Sequence, residues 1–316
     1  MAEKNKYEQS DSTDSREVRY RGLNNLEYWF RGIEKYASWV NKIHFVTWGH
    51  LPEWLDVNHP KLNIVKHTDF IPKEYLPTFS SHAIELNLHR IEGLTEKFVY
   101  FNDDTFIMRK VKPKDFFEKG LPKDIAVLKP NISSFRHSTS AIEANNLEII
   151  NTIYDKKKVI KKDFKKWFNL KYKRQLLSTV LLMPYDKFPG FLNQHLPNSY
   201  LKKTFIRLWE SEYETLDKTC QNKFRNGRDV NQWLFKYTQL VEGNFIPKSV
   251  SKGTTYSLTN NNEDINKEFK NRNYKIICIN DNDKEPVINF KQEKIKLKKN
   301  FEKIFPEKSR YEKKIR

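Results

Sequence analysis

The chain has 316 residues, 38% of them apolar or aromatic, enough for a sizeable core in one large domain or two ordinary ones. A formal charge of +18 favours an anionic partner such as nucleic acid, an acidic membrane surface or a phosphorylated substrate, against the plain alternative of a Lys-rich solubilising surface. Cys220 and Cys278 stand outside any C-x-x-C pair, so neither a zinc ribbon nor a disulfide framework is indicated, and no run of about 18 apolar residues is present to span a membrane.

The opening stretch, MAEKNKYEQSDSTDSREV, is polar and carries no signal-peptide core, so residues 1–15 read as a disordered linker. From Asn24 the pattern turns helical: Leu26, Trp29, Phe30, Ile33, Ala37 and Val40 recur three or four apart. IHFVT (43–47) and LNIVKH (62–67) predict short buried strands. LPTFSS (76–81) predicts a loop whose serines cap a helix with Ile84, Leu88 and Ile91 on its apolar face. FVYF (98–101) predicts a third strand. Alternating helices and strands imply an α/β fold: a mostly parallel, Rossmann-like or GT-A-like sheet flanked by helices, with a helical insertion. The expected division is a catalytic core at 16–130, a helical region at 131–250 that completes the site, and a closing strand and basic helix at 251–316.

FVYF runs straight into Asn102, Asp103 and Asp104. In parallel sheets ligands bind beyond the carboxyl ends of the strands. Carboxylates are costly to bury unpaired, but at such an end Asp103 and Asp104 could hold Mg²⁺ or Mn²⁺ with the diphosphate of a nucleotide sugar. The structural alternative is a simple turn, which Asn and Asp favour.

Residues 112–140 read as mixed loop and strand. KKKVIKKDFKKWFNLKYKR (156–174) holds ten Lys or Arg, with Ile160, Phe164, Trp167 and Phe168 on one helical face. Its aromatics are expected to pack inward, and contact with an anionic membrane is the alternative. LLSTVLLMP (176–184) is expected in the core. Residues 195–246 read as mostly helical, 257–273 as an Asn-rich loop, and KIICIN (275–280) as a late strand before a basic C-terminal helix. His82, Glu85 and His89 would share a helix face at i, i+3, i+7. They lack H-E-x-x-H spacing, so the face reads as a polar crevice lining rather than a zinc site. His195 is a candidate general acid or base near neutral pH, although a lone His is more often structural. Arg225 and Arg228, in KFRNGRD, could grip phosphate oxygens. No P-loop, G-x-G-x-x-G or serine nucleophile elbow occurs.

Several long segments together resemble the Stealth family, the sugar-1-phosphate transferases of bacterial capsule synthesis and of animal lysosomal-enzyme modification. They are REVRYRGLNNLEYWFRGIEKYASWVNKIHFVT, LPEWLDVNHPKLNIVKH, LPTFSSHAIELNLHRIEGL and FVYFNDDTFI, followed by HLPNSYLKKTF with KFRNGRDVNQWLF, and CINDND with FPEKSRYEK. The resemblance implies that a sugar-1-phosphate passes from a UDP-N-acetylhexosamine to a glycan hydroxyl with release of UMP. It assigns Glu85, Asn102, Asp104, His195 and Arg225 to catalysis; the residues themselves add His82, His89 and Arg228 as candidate substrate-binding neighbours and Asp103 and Asp104 as candidate metal ligands. The partners it implies are a UDP-sugar and a polysaccharide acceptor; the residues themselves suggest a cytoplasmic protein, with a peripheral membrane contact through 156–174 as an option and no nucleic acid. The family's opening strand and Trp-Val-Asp-Gly-type loop have no counterpart in these residues, which suggests a chain lacking one central strand. A metal-dependent glycosyltransferase and a truncated, inactive copy stay open as alternatives; a basic nucleic-acid-binding protein lacks any helix-turn-helix, zinc-finger or RNP-like signature.

Overall fold

The structure is a computed structural model that describes residues 13–14, 22–133, 139–281 and 287–314. The expected linker at 1–15 lies outside the described residues except for Thr13–Asp14, which pairs antiparallel with Arg225–Asn226. Residues 16–21 and 282–283, parts of the first and last motifs, also lie outside them.

The first helix, Leu26–Tyr36, buries Tyr28, Phe30 and Ile33 on its predicted face. Gly32 lets it seat on the strand Thr105–Ile107, because a Cβ at that position would stand 2.9 Å from the Ile107 carbonyl oxygen. The other end of the chain clamps the same helix: Arg31 donates from Nε and Nη2 to the two carboxylate oxygens of Glu312 at 2.8 and 2.6 Å.

The three predicted strands form at Ile43–Thr47, Leu62–Lys66 and Lys97–Tyr100. The first two are parallel over five residues. Gly253–Ser257 is parallel to Ile276–Asn280. The strand at the acidic turn departs from expectation: Lys97–Tyr100 pairs antiparallel with Asn198–Leu201, and Thr105–Ile107 antiparallel with Ile276–Asn280. The expected mostly parallel sheet is therefore corrected to a mixed α/β fold with parallel and antiparallel pairs in several small sheets. An apolar run announces a buried strand but not the direction of a partner far away in sequence. Among the described residues, the pair Ile43–Thr47 and Leu62–Lys66 is not hydrogen-bonded to the pair Lys97–Tyr100 and Asn198–Leu201. Both pairs nevertheless feed the same two core clusters. Val46, Phe98 and Tyr100 pack on one, and Phe45, Ile64 and Val99 on the other.

Three local expectations change. The helix after the serine loop is Ser81–Leu86, and a 3₁₀ turn at Leu88–Arg90 replaces its continuation; Ser80 makes no side-chain cap bond. The Asn-rich stretch contains a helix, Glu263–Asn271, whose Ile265 and Phe269 are four apart and buried. The 156–174 stretch breaks into Lys156–Lys162, Phe164–Trp167 and a 3₁₀ segment Leu170–Gln175, so its aromatics do not share one face. Trp167 is fully buried while Phe164 is 56% exposed. The predicted late strand and basic C-terminal helix appear at Ile276–Asn280 and Phe290–Ile304.

Candidate active site

The acidic triplet is a turn, and the candidate site is built around it. Thr105 donates to the Asn102 carbonyl from its backbone N at 3.3 Å and from Oγ1 at 2.6 Å. This closes the turn between Tyr100 and Thr105. Asn102 and Asp104 are left half-buried and Asp103 exposed. Ile279 N donates to the Asp104 carbonyl at 2.9 Å, fixing the outgoing strand.

His195 reaches this turn because of strand direction. Tyr100 is paired with Asn198 in the antiparallel ladder. The residues before Asn198 must therefore lie beside the residues after Tyr100. His195 Nε2 stands 2.7 Å from Asn102 Nδ2 and 3.4 Å from Asp104 Oδ2. A neutral ring accepts from the Asn102 amide at Nε2; a protonated ring donates from that atom to Asp104. Burial pulls the His195 pKa down, but the hydrogen bond and charge of Asp104, with Glu85 beyond, outweigh it and hold the ring above its ordinary value. Arg225 opposes this shift, so both Glu85 and Arg225 lie within electrostatic reach of the imidazole.

Glu85 accepts from Tyr100 Oη at 3.1 Å through Oε1, and its Oε2 is buried without a hydrogen-bond partner. Arg225 donates from Nη2 to Ser81 Oγ at 2.8 Å. Behind it, His82 Nδ1 meets Asp229 Oδ2 at 2.8 Å, both side chains being buried. Asp229 also accepts from Asn222 Nδ2 and from the backbone N of Asn226, at 2.7 and 2.8 Å. An ionised carboxylate only accepts, so His82 carries a proton on Nδ1.

Ligand atoms of Asp104, His195 and Cys278 lie within 4.8 Å of one another. Cys278 is buried on the strand Ile276–Asn280, and burial followed by the Asp104 charge pushes its thiol far up, away from thiolate. Asp103 is outside this group. Crowding by protein atoms, then the Asp104 charge, holds its carboxyl above the usual range although its side chain reaches solvent.

The structure thus joins Asn102, Asp104 and His195, sets Glu85 and Arg225 around them, and puts His82 behind the Arg225 loop. It separates two expected neighbours. His89 turns into the aromatic core, 5.9 and 6.1 Å from the rings of Phe205 and Trp209, and burial depresses its pKa to about 4. The i, i+3, i+7 face fails there because the α-helix ends at Leu86. Arg228 is exposed, its backbone N donating to Asn226 Oδ1 at 3.0 Å. Sequence reasoning missed Cys278 and Asp229. Asp229 carried one faint signal: an acidic residue entering the apolar run of a helix, where it must find partners once buried.

Residues 19–124 match Stealth protein CR2, conserved region 2. The chain is 50% identical over 298 residues to a capsular polysaccharide phosphotransferase, WcwK, of Streptococcus pneumoniae, with 94% of this chain and 88% of the relative covered. The chain belongs to the Stealth family. It is also 40% identical over 298 residues to the receptor polysaccharide phosphotransferase WefC of Streptococcus gordonii, covering 94% and 88%. To the exopolysaccharide phosphotransferase cps2G of Lactiplantibacillus plantarum it is 37% identical over 300 residues, covering 94% and 87%. The Stealth match contains Glu85, Asn102 and Asp104, whereas His195, Arg225 and Cys278 come to the cluster from beyond it.

Proposed function

We propose that the chain transfers a sugar-1-phosphate from a UDP-sugar to a polysaccharide hydroxyl, forming a phosphodiester in capsule or exopolysaccharide synthesis and releasing UMP. The observation that carries this reading is the Asn102–His195–Asp104 cluster at the open end of Lys97–Tyr100, in a chain whose relatives are named polysaccharide phosphotransferases. Neutral His195 takes the proton of the acceptor hydroxyl as its oxygen bonds to the sugar-bearing phosphorus. The bond from that phosphorus to the bridging oxygen breaks, and UMP leaves. Asp104 stabilises the imidazolium that forms. Asn102 orients the ring, Glu85 orients the acceptor, and Arg225 neutralises charge on the transferred phosphoryl group.

A divalent cation fits this site in one way only. Mg²⁺ takes oxygen ligands and keeps several waters, and the nitrogen and sulfur of His195 and Cys278 are poor donors to it. Asp104 Oδ1 is a buried oxygen without a hydrogen-bond partner. Asp104, assisted by Asp103, would hold Mg²⁺ or Mn²⁺ shared with the donor's diphosphate, where the ion would offset phosphate charge. A cytoplasmic location completes this reading; none of the described helices is long and apolar enough to cross a membrane.

The test is incubation with UDP-N-acetylglucosamine, Mg²⁺ and a capsular oligosaccharide, reading the nucleotide released. UMP that disappears with Asp104→Ala is expected. UDP instead would mean transfer of the sugar alone, and UMP undiminished by the substitution would remove the cluster from the mechanism.

A further inference from the structure

Of the segment 176–184, expected in the core, Leu176, Leu182 and Met183 do pack on it, but one face of the helix Leu176–Leu181 is turned inside out. Its polar side chains face the protein. Thr179 Oγ1 accepts from Leu128 N at 3.0 Å and Ser178 Oγ donates to Leu128 O at 2.7 Å. Thr179 is fully buried. Leu177, Val180 and Leu181, at i, i+3 and i+4, share the opposite face and are 61%, 48% and 66% exposed. A helix that needed only to pack would bury those three and expose Ser and Thr. Here two hydrogen bonds to the Leu128 backbone hold it the other way round.

Exposed apolar side chains also flank this helix in sequence. Leu170 is 88% exposed, Tyr185 60% and Phe164 56%. The basic segment is fastened to it by Lys156, whose buried ammonium donates to the carbonyls of Leu182 and Met183 at 2.7 and 3.1 Å. Of the ten Lys and Arg in 156–174, eight are exposed. Between residues 153 and 185 the acidic residues are Asp155 and Asp163 alone.

We infer that residues 157–185 dock on an anionic lipid surface, with Leu170, Leu177, Val180 and Leu181 entering the acyl boundary and the flanking lysines meeting lipid phosphates. Exposed apolar side chains beside a strong excess of cations match the layered chemistry of such a surface. A second copy of the same face would set eight exposed cations against eight, which opposes self-association. The inference is independent of which group the enzyme transfers.

The experiment is sedimentation of the full chain with phosphatidylcholine vesicles, with or without about a third phosphatidylglycerol, at low and high salt. Pelleting is expected with the anionic vesicles and should weaken with salt. Leu170→Gln, Leu177→Gln and Leu181→Gln together should lower the partition at least about tenfold. The melting temperature should stay the same, because these side chains are already in water. Lys158→Glu, Lys161→Glu and Lys162→Glu together should abolish binding. Three results would overturn the proposal. One is no pelleting with anionic vesicles at low salt. Another is a triple-Gln chain that pellets like the parent. The third is a dimer in sedimentation velocity that the triple-Gln change dissolves, which would give the face to a second copy.

Discussion

Asp229 holds His82 and the Arg225 loop in one frame. Its Oδ2 stands 2.8 Å from His82 Nδ1, across 147 residues of sequence, and the same oxygen accepts from the backbone N of Asn226. In Asp229→Asn, an amide NH₂ would confront these donors, or the amide oxygen would serve them while Asn222 loses its acceptor. A loss of about 2–4 kcal/mol in urea unfolding is expected. Turnover should fall further than the remaining folded fraction explains, because Asn226 is Arg225's neighbour. Unchanged stability would show that the pair is dispensable.

His195→Ala and Asp104→Ala should each lower kcat by about 10²–10⁴, the range for a positioned acid or base, with melting temperature preserved. The double variant should be scarcely worse than either single one, since the residues act as a unit. UMP release under saturating donor measures this; additive losses would mean that the two work separately.

Arg225→Ala should reduce kcat by about 10²–10³ through lost stabilisation of phosphoryl charge. Arg225→Lys should recover only part of it, because an ammonium lacks the planar fork. If both variants raise KM and leave kcat alone, the guanidinium binds substrate without favouring the transition state.

Acid should weaken the fold well above the carboxylate range. His67 and His89 are buried, and burial depresses both to about 4. Their unfolded value is about 6.5, so between these values the unfolded chain binds more protons and stability falls as pH drops. Each contributes about 2–3 kcal/mol of this loss by pH 4. In denaturant titrations from pH 7 to 4, His89→Phe should flatten the decline; an unaltered slope would show that His89 titrates normally.

Asp115 behaves in the opposite sense. Burial raises its pKa, but hydrogen bonds from Lys252, the Lys112 backbone and Lys275 outweigh this and hold it at about 2. Its stabilisation is present above the unfolded value of about 3.9 and is lost as pH falls through the folded one. Asp115→Asn should cost about 2 kcal/mol at pH 7, with the gap to the parent narrowing below about pH 4. A gap constant across that window would rule out the charge as its source.

What could be read directly was local. The amphipathic Leu26–Tyr36, the strands at 43–47, 62–66 and 97–100, and the Asn102–Asp104 turn follow from spacing and turn chemistry within a dozen residues. Family membership was legible as well, because long segments in order are far more specific than an acidic pair. The role of Arg225 is a matter for the kinetics above.

Tertiary structure decided the rest. His89 fits a polar helix face on paper, but a helix that stops at Leu86 turns it into the core. LLSTVLLMP looks like core by composition; two hydrogen bonds to Leu128 turn Leu177 and Leu181 outward while Leu176 and Leu182 pack inward, and hydropathy carries no record of that partner. His195 meets Asp104 because Asn198–Leu201 runs antiparallel to Lys97–Tyr100, and Cys278 arrives on another strand. The sequence by itself determined which residues can turn, pack or ionise. Which of them meet depended on strand direction and helix ends, set by the free energy of burying the whole chain at once rather than by any residue's near neighbours.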